Sequence, residues 1–221
     1  MIFVNRVKLL AVVVLIFLLM PAKDFGETGE NLLNLLPMPG KLEPREGKSR
    51  VTETFTGAIE AVPGANTLRA SRAVRRMLDR LAGRTGLFFS NNDIPINNKP
   101  IDAALWVSFQ RNGEIKLHED ESYQLTVTPE RVELKAITDI GIIRGLETLL
   151  QLLKADETGY FFPAVVIDDR PRFPWRGLLI DPCRHFMPVE VIKRNLDGMA
   201  AVKMNVLHWQ RSPAGGGQKR V

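Results

Sequence analysis

The sequence predicts an α+β domain followed by a separate βαβ unit, on the basis of three observations. Residues 50–155 alternate strand-like and helix-like segments in the order strand, helix, strands, helix, which is typical of a mostly antiparallel sheet with two helices on one face. A Pro-rich linker follows at residues 168–175, and beyond it two short apolar strands flank an amphipathic helix. A chain of 221 residues has room for one or two domains of about 100–200 residues each.

The first helix is predicted from residue 68 to residue 81. Val74, Met77, Leu78 and Leu81 follow the i, i+3, i+4, i+7 spacing of a helix with one buried face. Gly83 stands just past the last apolar position, so it is the expected C-cap.

Strands are predicted on both sides of the second helix. Ala104–Phe109 alternates apolar and polar residues, and Tyr123–Val127 and Val132–Ala136 are close enough in sequence to form a hairpin. Residues 156–162 are expected to be a loop, and Ala164–Ile167 a short buried strand.

The second helix follows directly after the hairpin. Thr138 or Asp139 is the expected N-cap, and Gly141 and Gly145 allow a close approach to the sheet. The predicted buried face consists of Ile142, Ile143, Leu146, Leu149, Leu150 and Leu153.

The last structured part is predicted to be one βαβ unit. Gly177–Ile180 is short and entirely apolar, as expected for a strand buried on both faces of a parallel sheet. Pro188 opens a helix and Met204–Trp209 forms the second strand. The inward-facing residues of the helix are expected to be Val189, Ile192, Leu196, Met199 and Ala200.

The N-terminus has the features of an export signal. Arg6 and Lys8 precede the apolar run Leu9–Met20, which is too short to span a bilayer comfortably. We therefore expect a signal peptide over residues 1–22 and a periplasmic or extracellular protein; an uncleaved N-terminal anchor is the alternative. Residues 23–49, rich in Pro, Gly and charge, are expected to be an irregular lead-in, and one strand at its end is the alternative.

Composition excludes several classes of function. The net charge of +5 is scattered rather than clustered, so we expect no nucleic-acid partner, and membrane contact only through the N-terminal signal or anchor. The single cysteine excludes an internal disulfide. The three histidines are too dispersed for a zinc site, and we expect no metal and no cofactor.

Candidate binding residues lie where the first strand of the βαβ unit ends. Asp181 and Arg184 are three residues apart at the carboxyl end of that strand, where parallel α/β folds bind ligands. An arginine donates two hydrogen bonds in a fixed fork, and a neighbouring carboxylate would hold it in place. A salt bridge that merely closes the loop is an equally good interpretation of these two residues.

The segments 173–189 (FPWRGLLIDPCRHFMPV) and 203–209 (KMNVLHW) strongly resemble family 20 glycoside hydrolases, the β-N-acetylhexosaminidases. The family pattern there is roughly W-R-G, three apolar residues, D-x-x-R-H-F-x-P, a helix and then K-h-N-x-h-H. The segments 123–126 (YQLT) and 140–150 (IGIIRGLETLL) also resemble the α+β domain that precedes the barrel of this family. The resemblance covers about residues 30–209.

The resemblance implies the domain organisation and the chemistry. Residues 50–170 would form the α+β domain, and residues 176–209 the first βαβ of a catalytic (β/α)₈ TIM barrel. The substrate would be a glycan with a terminal N-acetylhexosamine, cleaved with retention by attack of its own acetamido oxygen. Arg184 matches the arginine that binds the 3- and 4-hydroxyls of that sugar, Asp181 would support it, and His185 would be structural.

The resemblance ends at Trp209, and residues 210–221 are expected to be a non-homologous tail. The general-acid Glu of the family and its Asp partner have no counterpart, so no catalytic residue is assigned and the chain alone is expected to be inactive. A frameshift or premature stop would explain the abrupt change. The alternative function is a non-catalytic exported α+β module, carbohydrate-associated or a scaffold. Because strands of an incomplete barrel lack neighbours, we also expect residues 176–221 to be disordered or to aggregate.

Overall fold

The computed structural model describes residues 33–89, 94–97, 103–182 and 184–210. The expected signal peptide lies outside the described residues, and so does nearly all of the expected tail. Among the described residues, no helix combines the length and the apolar character needed to cross a bilayer.

Two sheets and three helices make up the described part of the chain. The first sheet contains the strands β1 (Lys41–Val51), β2 (Gly57–Ala61), β3 (Leu105–Arg111), β4 (Tyr123–Val127), β5 (Val132–Thr138), β6 (Lys154–Asp156) and β7 (Gly159–Asp169). The second contains β8 (Gly177–Ile180) and β9 (Val206–Trp209), and the helices are α1 (Leu68–Thr85), α2 (Asp139–Gln151) and α3 (Val189–Ala201).

The large sheet has the order β1-β7-β4-β5-β3-β2, with β6 paired to β7. The predicted α+β class is confirmed, but the sheet is mixed rather than antiparallel throughout. The predicted hairpin β4–β5 is antiparallel, whereas β2 and β3 pair in parallel, and so do β3 and β5. β2 and β3 are parallel because α1 lies between them in sequence, so the chain crosses over a helix before it returns to the sheet. β3 and β5 are parallel because β4 lies between them in sequence, and the hairpin partner β5 returns to the place beside β3.

The alternative of a strand at the end of the lead-in agrees with the structure, in which residues 41–49 belong to the 11-residue strand β1 rather than to an irregular segment. Proline and charge argue against a strand in local sequence, yet β1 is the edge strand and pairs with β7 more than 100 residues away. An edge strand tolerates proline because its outward groups need no ladder partner. The register shifts between Pro44 and Lys48, which places a bulge at the charged stretch.

The loop predicted at residues 156–162 is much shorter in the structure. Strand β6 reaches Asp156 and β7 begins at Gly159, so a two-residue turn joins them. Gly159 has φ = 115°, a backbone angle that suits a tight hairpin turn and that other residues seldom adopt. The predicted strand Ala164–Ile167 is the central part of the longer β7.

Helix α1 has the predicted buried face, since Val74, Met77, Leu78 and Leu81 are each at most 2% exposed. The helix continues one turn beyond the predicted end. Its C-cap is Gly86, in the left-handed conformation with φ = 72°, rather than Gly83.

Helix α2 is capped as predicted, because the Thr138 hydroxyl accepts a hydrogen bond from the Gly141 amide at 3.1 Å. Its face packs on β3, β4 and β5. A Cβ added at Gly145 would overlap Leu134 and Tyr123, so this glycine permits the close contact of helix and sheet. The buried residues of the predicted face are Ile142, Leu146, Leu149 and Leu150.

The predicted βαβ unit is present, and β8 and β9 run parallel with Gly177 opposite Val206. The prediction that β8 is buried on both faces is wrong for Leu179, which is 57% exposed. Helix α3 buries Ile192 and Met199, whereas Val189 and Leu196 are exposed. The reason is the same in both cases: β8 pairs with one strand in the described structure, and α3 covers a two-stranded sheet.

Candidate functional site

The candidate site lies where β8 ends. The parallel pairing of β8 and β9 directs both carboxyl ends to the same edge of the small sheet, and Asp181 follows β8 immediately. The Asp181 backbone carbonyl accepts hydrogen bonds from the amides of Arg184 and His185 at 3.3 and 3.4 Å, so the chain turns sharply there.

The structure brings the two predicted binding residues together. Arg184 Nε lies 3.2 Å from Asp181 Oδ2, and the Arg184 amide lies 3.3 Å from Asp181 Oδ1. The carboxylate is largely covered, whereas 83% of the Arg184 side chain is exposed. The pair therefore presents a guanidinium that is held at one nitrogen and open to solvent, so its other N–H donors are available to a ligand.

His185 and Phe186 follow on the same turn and are both exposed. No group of three or more histidine, cysteine or acidic residues in the described ranges is placed to bind a metal ion.

The site is positioned by a buried ion cluster that the sequence did not predict. Glu121, just before β4, accepts hydrogen bonds at one oxygen from Arg144 of α2 and from Arg176 directly before β8, both at 2.6 Å. Its other oxygen accepts from the Asn205 amide at 3.3 Å. The side chains of Glu121, Arg144 and Arg176 are each at least 85% buried.

A second buried cluster lies at the end of β7. Lys203, which precedes β9, donates to Asp169 Oδ2 at 2.9 Å and to the Tyr123 hydroxyl at 2.7 Å. The Tyr123 hydroxyl donates to the same carboxylate oxygen at 2.9 Å. Burial raises the pKa of Tyr123, so its hydroxyl remains a donor at neutral pH.

Lys203 adopts a left-handed backbone conformation with φ = 60°, which is strained for a residue with a side chain. Its carbonyl accepts from Arg176 Nε at 2.8 Å, so the backbone and the side chain of Lys203 are both fixed by contacts from other elements. The turn between α3 and β9 is therefore set by tertiary contacts.

Together these clusters attach both strands of the βαβ unit to the α+β domain. Gln151 adds a further contact from the end of α2 to α3, donating to the Ala201 carbonyl at 2.8 Å. The expectation of disorder after residue 176 does not agree with the described residues 177–182 and 184–209, whose strands and helix are held by ion pairs and hydrogen bonds.

A signal for these residues was available in the sequence. Arg176 and Asn205 directly precede β8 and β9, and Lys203 lies three residues before β9, all in the same segments that carry the family resemblance. Their partners Glu121 and Asp169 lie in another part of the chain, and no local pattern connects them.

Comparisons with known proteins agree with this division of the chain. The model of "Glycosyl hydrolase family 20, domain 2" matches residues 32–170, and the model of "Glycosyl hydrolase family 20, catalytic domain" matches residues 173–214. The second match continues past Trp209, where the resemblance was expected to end.

Relatives include β-hexosaminidase subunit A1 of Dictyostelium discoideum, 30% identical over 185 residues, which are 82% of this chain and 33% of that protein. The mouse β-hexosaminidase subunit beta is 50% identical over 94 residues, 42% of this chain and 18% of that one. The chain thus spans a third or less of the length of these relatives.

Among solved structures, the chitobiase of Flavobacterium johnsoniae superposes with a TM-score of 0.73 at 45% identity, over 80% of this chain and 26% of that one. A second similar structure is the exo β-N-acetylglucosaminidase of Vibrio harveyi in complex with N-acetylglucosamine, with a TM-score of 0.61 at 29% identity. Since the domain 2 model alone matches more than half of the residues, the chain belongs to glycosyl hydrolase family 20.

Proposed function

We propose that this chain supplies the N-terminal part of an exported β-N-acetylhexosaminidase, an enzyme that removes terminal N-acetylhexosamine residues from glycans. In this proposal residues 176–209 are the first βαβ of the catalytic barrel. The supporting observation is the match to domain 2 and, directly after it, to the catalytic domain, together with a βαβ unit at that position in the structure.

Arg184 is the proposed sugar-binding residue, and Asp181 positions it. The Nε–Oδ2 contact of 3.2 Å fixes the guanidinium at the carboxyl end of β8, and its exposure leaves it accessible to the sugar hydroxyls. Hydrogen bonds from a charged donor contribute about 1.5–3 kcal/mol each. These residues bind and orient the sugar; they do not transfer the proton to the leaving group.

The 221 residues by themselves are proposed to lack turnover. Substrate-assisted cleavage needs a general acid, and the resemblance assigns that role to an Asp–Glu pair without a counterpart here. Hydrolysis of 4-nitrophenyl N-acetylglucosaminide by the purified chain would contradict this. If the chain binds the sugar but contributes nothing to catalysis in a complete enzyme, the alternative of a non-catalytic module is favoured instead.

A chimera tests the catalytic proposal directly. Residues 33–209 would replace the matching segment of the Flavobacterium chitobiase, which is 45% identical. We expect the chimera to hydrolyse the chromogenic substrate, and Arg184→Ala in the chimera to lower kcat/KM by about 10- to 300-fold through lost hydrogen bonds.

The matched control is Arg194→Ala, which removes an exposed arginine from α3 and should leave kcat/KM unchanged. Equal kcat/KM for the Arg184→Ala chimera and its parent would refute the binding role. Export is tested separately by N-terminal sequencing of the mature protein. Its first residue should be Lys23 if the signal is cleaved after Ala22.

A further inference from the structure

A cavity of about 190 Å³ lies between the end of β7 and the start of the βαβ unit. It is separate from the proposed sugar site, since neither Asp181 nor Arg184 lines it. Five cationic side chains contribute to its wall, against two acidic ones. The cationic residues are Arg144, Arg170, Arg172, Arg176 and Lys203, and the acidic residues are Glu121 and Asp169.

Both acidic residues are already engaged. Glu121 accepts hydrogen bonds from Arg144 and Arg176, and Asp169 accepts from Lys203. The wall therefore carries three positive charges more than negative ones. Burial lowers the pKa of Lys203, and the charges of Arg144 and Arg176 lower it further, against the opposing effect of Asp169.

Two of the three unbalanced charges lie at Arg170 and Arg172. Both are exposed, and within the described ranges the structure shows no acidic partner for either. Arg172 donates only a long hydrogen bond, 3.5 Å, to the Met38 carbonyl. Two guanidinium groups are thus placed at the rim of a cavity whose interior acids are already paired.

Four other residues of the wall are apolar. They are Pro37, Met38, Pro171 and Phe173, of which Met38 is 49% and Phe173 68% exposed. A cavity of about 150 Å³ can hold benzene, so this one has room for a ligand with a single ring. A wall with both cationic and apolar side chains fits a ligand that joins an anionic group to an apolar body.

We propose that this cavity binds a small organic anion, a carboxylate or sulfonate on a one-ring body. The anionic group pairs with Arg170 and Arg172, whose forked donors match a carboxylate or a sulfonate. The ring packs against Met38 and Phe173. The site lies beside the clusters that attach the βαβ unit, so an occupant also contacts both parts of the chain.

The test is isothermal titration calorimetry of the full chain with sodium benzoate. The buffer is zwitterionic and of low ionic strength, because salt screens exposed charges. We expect saturable binding to one site, competition by benzenesulfonate, and no binding of uncharged benzyl alcohol. The double substitution Arg170→Ala/Arg172→Ala should weaken benzoate binding at least about tenfold, as expected for the loss of charge-assisted hydrogen bonds.

The matched control is Arg72→Ala/Arg76→Ala, which removes the same charge from an exposed face of α1. Both pairs are on the surface, so neither variant should unfold the protein, and thermal melting verifies this. Absence of saturable benzoate binding overturns the proposal. Equal affinity in the two double variants also overturns it, as does equal binding of benzyl alcohol, which would indicate an apolar pocket with no anion preference.

Discussion

At the scale of single residues, Glu119 shows how one carboxylate organises a connection. It accepts hydrogen bonds from Arg111 at 2.6 Å and from the amides of Glu114 and Asp120 at 2.7 and 2.8 Å. The bond from Arg111, followed by the two amide bonds, lowers the pKa of Glu119 from 4.5 to about 2. The segment between β3 and β4 is thus fixed by a side chain whose ionised form the fold prefers.

This preference makes a pH-dependent contribution to the free energy of unfolding. Because the pKa is lower in the folded state, the contribution is fully present above pH 4.5 and is lost as the pH falls from 4.5 towards 2. We expect Glu119→Gln to be less stable than the parent protein at pH 7 and the difference to shrink between pH 4.5 and pH 2. Urea denaturation at several pH values measures this.

The control for this experiment is Glu53→Gln, which changes an exposed carboxylate and should follow the parent protein at every pH. A constant difference between Glu119→Gln and the parent across this range would show that the hydrogen bonds to Glu119 do not depend on its charge.

At the scale of elements, α2 is the central packing unit of the α+β domain. Leu149 is fully buried on its sheet-facing side, and Leu146 and Leu150 are buried beside it. The face matches the sequence periodicity because α2 is covered by the sheet and by α1.

Replacing Leu149 by Ala should lower the free energy of unfolding by about 2–5 kcal/mol, since the substitution removes buried methyl groups and leaves a cavity. Chemical denaturation measures the loss. Leu68→Ala is the control, because Leu68 is 53% exposed at the start of α1 and should change stability little. A near-zero effect of Leu149→Ala would contradict its place in the core.

At the scale of the whole molecule, we expect the ion cluster at Glu121 to keep the βαβ unit attached to the α+β domain. Glu121→Gln leaves the guanidinium groups of Arg144 and Arg176 without their buried counter-charge, which costs about 3–5 kcal/mol in such pairs. We expect trypsin to cleave after Arg176 and Lys203 faster in this variant than in the parent protein, where both side chains are buried in the two clusters.

Mass spectrometry of the tryptic fragments identifies the cleavage positions. Glu157→Gln, which alters an exposed carboxylate in the β6–β7 turn, is the control and should leave cleavage unchanged. If Glu121→Gln and Glu157→Gln are cleaved at the same rate as the parent within residues 176–203, the ion cluster is not what holds the unit in place.

The local sequence pattern was sufficient to predict an element wherever the folded protein covers the side on which the apolar residues of that element lie. The buried face of α1, the Thr138 cap of α2, the strand Tyr123–Val127 and the βαβ order were all predictable, because periodicity and capping act over a few residues. The Asp181–Arg184 pair was predictable for the same reason, since its members are three residues apart.

The sequence by itself therefore determined the class of the fold, the family and the position of the candidate site. Tertiary structure alone decided that residues 41–51 form an edge strand, that Leu179 and Val189 are exposed, and that Glu121 and Asp169 hold the βαβ unit. The edge strand and the contacts of Glu121 and Asp169 with the βαβ unit depend on partners 34 to more than 100 residues away. Pairing over such separations is set by the packing of whole elements, and it cannot be predicted from a local sequence pattern.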